Sequence, residues 1–410
     1  MIKKIKTEQL RPGIFVHDFN CDWAGENIFI SKALIKDERA IKIIRSWGIK
    51  EVYIDTDLGL DVEPAKTAYE VQQETNRNLH KLAQRKRTAT PPPIPLKDEV
   101  QMARTIRNEA VVTMREAMRA VQEGKCIDPD NAFRLVEKMQ ESVTRNKDAL
   151  ILLTRIRKKD EYTLMHSISV SSLVLAFCSS CDISYDMTIN LAMGSLFHDI
   201  GKTRIPNSIL NKPGKLDQKE FTIMKKHAEY SAKVLAETTE LPPEAHDIAL
   251  HHHERYDGTG YPHGLKGDTI EFGSRIAAIC DVYDAITSIR CYKNGLDRVQ
   301  GLRKLYEWSD HYFDKELTYK FIRSIGVYPI GTYVRLANEL SGVVINSTEN
   351  ILQPVVRIFY NDKKKTAMQI QEIDLSKIGI NIAGYDSPEK WSSDKMHIFQ
   401  QNKNDLSPLH

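Results

Sequence analysis

The stretch HHHERYDGTGYP, from His251 to Pro262, sets three imidazoles beside a glycine-rich turn. Neighbours on a helix point about 100° apart, so three consecutive histidines cannot all face one core. Some of them have a task other than packing. Four further places carry the same kinds of side chain. His166 lies in EYTLMHS, His198 and Asp199 in LFHDIGK, His227 in MKKHAEY, and Asp281 in ICDVYDA. Imidazole and carboxylate together suit divalent transition metals such as Fe, Mn, Ni or Zn. The adjacent His198–Asp199 pair is a compact unit, in which the imidazole binds one ion and the carboxylate can bridge two. Two ions about 3.5–4 Å apart activate a water and stabilise in-line displacement at phosphorus.

A lone histidine is more often a packed or surface residue. His17, His80, His246, His311, His397 and His410 take that reading. What sets the others apart is the conjunction of HD, HH and a later Asp on separate helices. Helical bundles build metal sites from side chains on facing helices. Lys202, three residues after the HD pair, is either a solvated lysine or a point charge for a phosphate oxygen. Arg290 and Lys293 in SIRCYK are either helix-end cations or a phosphate clamp. The lone CxxC pair, Cys178 and Cys181, reads as two small core residues one turn apart.

These residues need elements to hold them. Residues 1–65 read as a small α/β unit: GIFVHDF, NIFISKALI and KEVYIDT are strand-like, and ERAIKIIRSWGI is an amphipathic helix. Residues 66–96 read as a polar and Pro-rich linker, helical or loose up to 88 and extended over Pro91, Pro92, Pro93 and Pro95. Residues 97–326 are helical. Val100, Ala103, Ile106, Ala110 and Met114 recur at helical spacing, Gly124 stops that helix, and Asp128-Pro129 starts the next. Further helices are expected at about 163–181, 186–199, 217–238, 243–254 and 274–290. From 327 to 395 the period shifts towards two, through TYVRL, SGVVIN, PVVRIFY and AMQIQEI, as in a small β appendage. The last twenty residues look frayed. The fold expected is mainly α: a helical bundle with a small α/β N-terminal domain and a β-rich C-terminal extension.

The chain of 410 residues is longer than one domain usually is, and 41% of it is hydrophobic, enough for sizeable cores. Its 58 basic and 55 acidic residues nearly balance, which disfavours duplex nucleic acid as a partner. No window is expected to be apolar enough for a membrane span, and the N-terminus lacks a signal core. Six cysteines fit as reduced thiols. The expected compartment is the cytoplasm.

HDIGKTRIPNSILNKPGKL, MKKHAEYSAKVL, HHERYDGTGYPHGLKG and DVYDAITSIRCYK, in that order across about 140–325, resemble the HD-GYP family of the HD phosphohydrolases. The β extension resembles that family's C-terminal addition. Residues 1–65 resemble a domain of unknown function, DUF3391, that often precedes it. The resemblance implies a metal-dependent phosphodiesterase that opens cyclic di-GMP to linear pGpG, and in some members on to GMP, by a metal-activated hydroxide. Some relatives prefer 3′3′-cyclic GMP–AMP, and some are non-catalytic receptors. By position, the implied ligands are His166, His198, Asp199, His227, His252, His253 and Asp281, with Asp199 bridging two metals. The metals expected are Fe or Mn, with Ni, Zn or Mg as alternatives. His198, Asp199 and Lys202 would carry the catalysis, and Lys202, Gly260, Tyr261, Pro262, Arg290 and Lys293 would contact the cyclic dinucleotide. Some members hold a third metal through a Glu four residues before the first ligand histidine. Here that position is Tyr162, with Glu161 one residue out of register, so two metals and a pGpG product are expected. His251 falls outside the ligand set. The N-terminal domain is expected to regulate, to form a homodimer or to dock a partner or signal.

Overall fold

A computed structural model describes residues 1–21, 32–84, 94–154, 162–212, 214, 216–288, 295–386 and 391–402. The chain opens with β1 (Ile2–Lys6), β2 (Phe15–Asp18), β3 (Ala33–Leu34), α1 (Glu38–Ser46), β4 (Glu51–Asp55) and β5 (Lys66–Thr67). These strands form one antiparallel sheet in the order β3-β2-β4-β1-β5, with β1 antiparallel to β4 through pairs such as Lys4–Tyr53. Asp37 caps α1 by accepting from the Ala40 amide, and Ile41 and Ile44 turn into the core. Most of the expected NIFISKALI strand lies outside the described residues.

The segment expected as a linker contains α2 (Ala68–Gln84). Val71, Thr75, Leu79 and Leu82 are buried along one stripe, and Leu79 and Leu82 join the core shared by the N-terminal sheet and the helical domain. Three large aliphatic residues in seventeen are a weak signal, which is why the stretch reads as polar. The triple proline lies outside the described residues.

Then come α3 (Leu96–Gln122) and α4 (Pro129–Thr154), the latter interrupted at Asn146. They pair as an antiparallel hairpin, with Ala110, Met114, Leu135 and Met139 fully buried between them. The bundle continues with α5 (Tyr162–Ser179), α6 (Tyr185–Phe197), the short α7 (Asn207–Leu210), α8 (Gln218–Lys225), α9 (His227–Glu237), α10 (Pro243–His251), α11 (Phe272–Thr287), α12 (Arg298–Trp308) and α13 (Lys315–Ile325). The helix expected over 217–238 is two helices meeting at Lys226, where the Met224 carbonyl accepts from the ring of His227. Against expectation, α5 is long and apolar enough to cross a membrane by length and composition; 83% of it is buried inside the fold. It is apolar all round because it is the central helix of the bundle.

The C-terminal sheet runs β10-β6-β7-β8-β9, from β6 (Tyr333–Leu336), β7 (Leu340–Asn346), β8 (Val355–Asn361), β9 (Thr366–Asp374) and β10 (Ile382–Tyr385), with the one-turn α14 (Leu375–Ile378) before its last strand. The tail is not frayed throughout: α15 (Ser393–Gln401) packs on this sheet. Lys395 is 4% exposed and reaches Asp362 at 3.0 Å and Asp386 at 3.3 Å. Trp391 and Phe399 stand against Phe359. Its polar sequence hides these anchors, which act only once the sheet exists. The fold is mainly helical with two small antiparallel sheets near its ends.

Candidate metal centre

The metal-binding residue types converge from five elements. α5 brings His166, and the C-terminal end of α6 brings His198 and then Asp199. The first residue of α9 is His227, the end of α10 leads into His252 and His253, and α11 carries Asp281. His166, His198, Asp199, His227, His252 and Asp281 are all at least 94% buried, and His253 is partly buried.

The imidazoles are oriented by their backbones. His198 Nδ1 lies 2.7 Å from the Ser195 carbonyl, His227 Nδ1 2.7 Å from that of Met224, and His252 Nδ1 3.0 Å from that of Ile248. A carbonyl only accepts, so each Nδ1 carries the proton and each Nε2 presents a lone pair to the pocket. His166 is oriented by a carboxylate instead, with Asp284 Oδ2 2.6 Å from its Nδ1.

Two groups of ligand atoms result: His166, His198 and Asp199 on one side, and His227, His252 and His253 on the other. Asp199 lies between them. Its Oδ2 is 3.3 Å from His198 Nε2 and 3.7 Å from His166 Nε2, while its Oδ1 is 3.4 Å from His227 Nε2 and 3.9 Å from His252 Nε2. Asp281 Oδ1 joins the first group, 2.9 Å from His166 Nε2.

The polar atoms fit a cation. His198 Nε2 and Asp199 Oδ1 are buried with no hydrogen-bond partner among the described residues. The Nε2 atoms of His227 and His252 are both acceptors by the tautomer argument, yet lie 3.4 Å apart. Two lone pairs held face to face in a buried pocket call for positive charge between them.

The electrostatics agree. Burial first, then the neighbouring His198 and His227, lower His252 to about 3, and burial holds His253 well below the usual histidine range, so both rings are neutral, as a metal ligand must be. Burial also opposes charge on His166, but Asp281 and Asp284 outweigh it and raise that imidazole to about 9. A bound metal replaces that proton. Burial would raise Asp199, yet Lys202 and His198 hold it well below the carboxylate range. Lys202 Nζ is 2.8 Å from Asp199 Oδ2 and buried with it.

The motif loop closes the pocket. Tyr261 places its ring 4.7 Å from that of His253, and its amide donates to the His253 carbonyl at 3.2 Å. A Cβ on Gly260 would stand 2.4 Å from the Arg255 amide nitrogen and 2.6 Å from the His253 carbonyl oxygen, so only glycine permits this approach. Pro262 follows through a cis peptide bond. Glu254, 3% exposed, accepts from the amides of His263, Gly264 and Leu265 and ties down the loop's exit.

His251 stays outside the ligand groups. Its Nδ1 is 2.6 Å from Asp247 and its Nε2 3.0 Å from His263. Arg290 and Lys293 lie outside the described residues. Tyr162 holds the place where a third-metal Glu would stand, with its ring stacked parallel to His166 at 6.2 Å. Cys178 is a core residue whose thiol burial pushes up to about 12. Asp284 and Glu254 were not singled out in the sequence. Asp284 had a signal, one turn beyond Asp281 on the same helix. Glu254 had none beyond its place in the loop.

Comparison with known proteins gives the chain's family. An HD domain family model matches residues 137–317, and a model of a domain of unknown function, DUF3391, matches residues 2–132. A cyclic di-GMP phosphodiesterase of Pseudomonas aeruginosa is 34% identical over 400 residues, covering 96% of this chain and 94% of its own length. A cyclic di-GMP phosphodiesterase response regulator of Xanthomonas campestris pv. campestris is 36% identical over 183 residues, 44% of this chain and 48% of its own. A 3′3′-cGAMP-specific phosphodiesterase of Vibrio cholerae is 44% identical over 124 residues, 30% of this chain and 24% of its own. With a relative aligned along nearly its whole length and an HD domain built around these histidines, the chain belongs to the HD-GYP family of metal-dependent phosphodiesterases.

Proposed function

We propose that this protein hydrolyses cyclic di-GMP to linear pGpG at a site holding two divalent metal ions, Fe or Mn. The observation that carries the two-metal reading is the position of Asp199, whose two oxygens face two separate groups of imidazoles. His166, His198 and Asp281 would hold one ion with Asp199 Oδ2, and His227, His252 and His253 the other with Oδ1. When bound, the ions supply Lewis acidity at the phosphoryl oxygens and an activated water near neutral pH. Mixed imidazole and carboxylate donors suit Fe or Mn.

The chain's own residues do the rest. The Nδ1 hydrogen bonds fix the rings of His166, His198, His227 and His252, so these need no reorganisation at the moment of reaction. Lys202, buried beside Asp199, is the cation for a phosphoryl oxygen of the substrate. Tyr261 and Pro262 shape the entrance that Gly260 allows the loop to form. Cleavage stopping at pGpG follows from Tyr162 standing where a third metal's carboxylate would be. Cyclic di-GMP is favoured over the mixed dinucleotide because the relative matching both domains bears that name, whereas the 3′3′-cGAMP relative above matches 124 residues.

The test is anaerobic purification, loading with Fe(II) or Mn(II), and chromatography of cyclic di-GMP and 3′3′-cGAMP. Formation of pGpG, lost in Asp199→Ala, is the expected result. Tight binding without turnover at two metals per chain would make the protein a receptor, and turnover of 3′3′-cGAMP alone would reassign the substrate.

A further inference from the structure

The N-terminal unit touches the motif loop. After α1 the chain turns through Gly48, in the left-handed region at φ +76°, into Ile49 and Lys50. A Cβ on Gly48 would come within 2.9 Å of Thr259 Cβ, inside the HHHERYDGTGYP stretch. Lys50 Nζ lies 3.7 Å from Asp257 Oδ2 in the same stretch.

Tyr312, just beyond α12, joins the two. Its hydroxyl donates to the Gly48 carbonyl at 3.1 Å and accepts from the Lys50 amide at 2.9 Å, satisfying two peptide groups of the N-terminal turn. Its backbone carbonyl accepts from the Tyr256 amide at 3.0 Å, on the motif loop. Its ring lies 6.0 Å from the Arg255 guanidinium, which in turn donates to the Thr259 carbonyl and hydroxyl. Tyr312 also lines, with His252, His253, Arg255 and Tyr261, the pocket behind the metal-binding groups.

The N-terminal sheet is fastened to the same helix. Tyr53 donates to Glu307 at 2.9 Å, and Asn20 Oδ1 accepts from Lys304 at 2.7 Å and from the Trp308 indole at 3.1 Å. A shift of the N-terminal unit is therefore felt at the end of α12, where Tyr312 sits.

We propose that Tyr312 is a positioning residue through which the N-terminal unit braces the motif loop. The Gly48–Lys50 turn, gripped by the Tyr312 hydroxyl, holds Arg255–Thr259 in place and so sets Tyr261 against His253. A ligand or partner that moved the N-terminal unit would change the shape of the substrate entrance without touching a metal-binding side chain. The kinetic consequence rests on the proposed phosphodiesterase reaction; the structural consequence does not.

The experiment is hydrogen exchange by mass spectrometry on the full-length chain, metal-free and metal-loaded, for wild type, Tyr312→Phe and Gly48→Ala. Loss of the hydroxyl's two hydrogen bonds predicts exchange of the 255–265 amides roughly tenfold faster or more in Tyr312→Phe. Gly48→Ala, on the other side of the contact, gives the same signature. Amides of α5 and α9 keep wild-type rates, and bound metal per chain is unchanged. In turnover, KM rises by a similar factor while kcat changes less. Faster exchange confined to the N-terminal unit, or uniform acceleration across the chain, would reduce the contact to a stability contact and overturn the proposal. A chain inert towards cyclic dinucleotides would refute the proposed reaction but leave the exchange result to decide this one.

Discussion

Asp284 Oδ2 stands 2.6 Å from Nδ1 of His166, while Oδ1 accepts from the Ser169 hydroxyl at 2.6 Å. His198, His227 and His252 donate to backbone carbonyls, whereas His166 is aimed by a carboxylate. Removing it frees the ring to rotate and makes it a weaker donor. Asp284→Ala is expected to weaken metal binding about 10–100-fold. Metal titration followed by elemental analysis after dialysis measures this, and unchanged affinity would contradict it.

Asp199 serves both groups of imidazoles, so its loss should act on both. Saturating Mn(II) at about 1,000 times Kd is expected to stabilise the wild type by about 4 kcal/mol for each ion bound to the folded state. A chelator removes that increment. In Asp199→Ala the metal-dependent rise in Tm is expected to vanish, and calorimetry with and without metal checks it. A rise equal to the wild type's would argue against a shared carboxylate.

Lys202 is buried against Asp199, the carboxylate that faces both groups. Lys202→Met keeps the stem's packing and removes the charge. The expected effect is a fall in kcat of about 100-fold with metal content retained. If metal is lost in parallel, the lysine acts on the ligand and not on the phosphate.

Gly260 passes within 2.6 Å of the 253–255 backbone when a Cβ is added. Gly260→Ala must push the loop outward and carry Tyr261 off the His253 ring. A destabilisation of about 1–3 kcal/mol is expected, together with a raised KM. Urea denaturation and steady-state kinetics read the two effects separately.

The ammonium of Lys395 is enclosed by Ser341, Asp362 and Asp386. Lys395→Met leaves the half-buried Asp362 and Asp386 without their cation. Proteolysis is expected to remove the C-terminal helix selectively, while turnover at the distant metal site stays at the wild-type level. An uncleaved tail would show that Trp391 and Phe399 suffice to hold it.

Much of this was legible beforehand because it is local. Helix periodicity over Val100–Met114 and the Asp128-Pro129 start mark elements whose positions depend on nearby residues only. The ligand types were legible because metal chemistry restricts them to imidazole and carboxylate, and the motifs occur in order. Other features needed distant partners. The α2 stripe is three apolar residues that matter only when the sheet and α12 are there to cover them. The tail helix is polar except where it meets Phe359, and the break at Lys226 exists because the ring of His227 takes a carbonyl at the junction.

Residue order marked out the candidate metal-binding residues, the family and the helical class, since each follows from residue identity and short spacing. Folding established the rest. It separated the imidazoles into two groups about Asp199, left His251 to Asp247, and set Asp284 behind His166. It also laid the turn at Gly48 against Thr259, more than two hundred positions away in the chain. These pairings are between residues far apart in sequence, and their distances come from how the helices pack around α5, which no local pattern encodes.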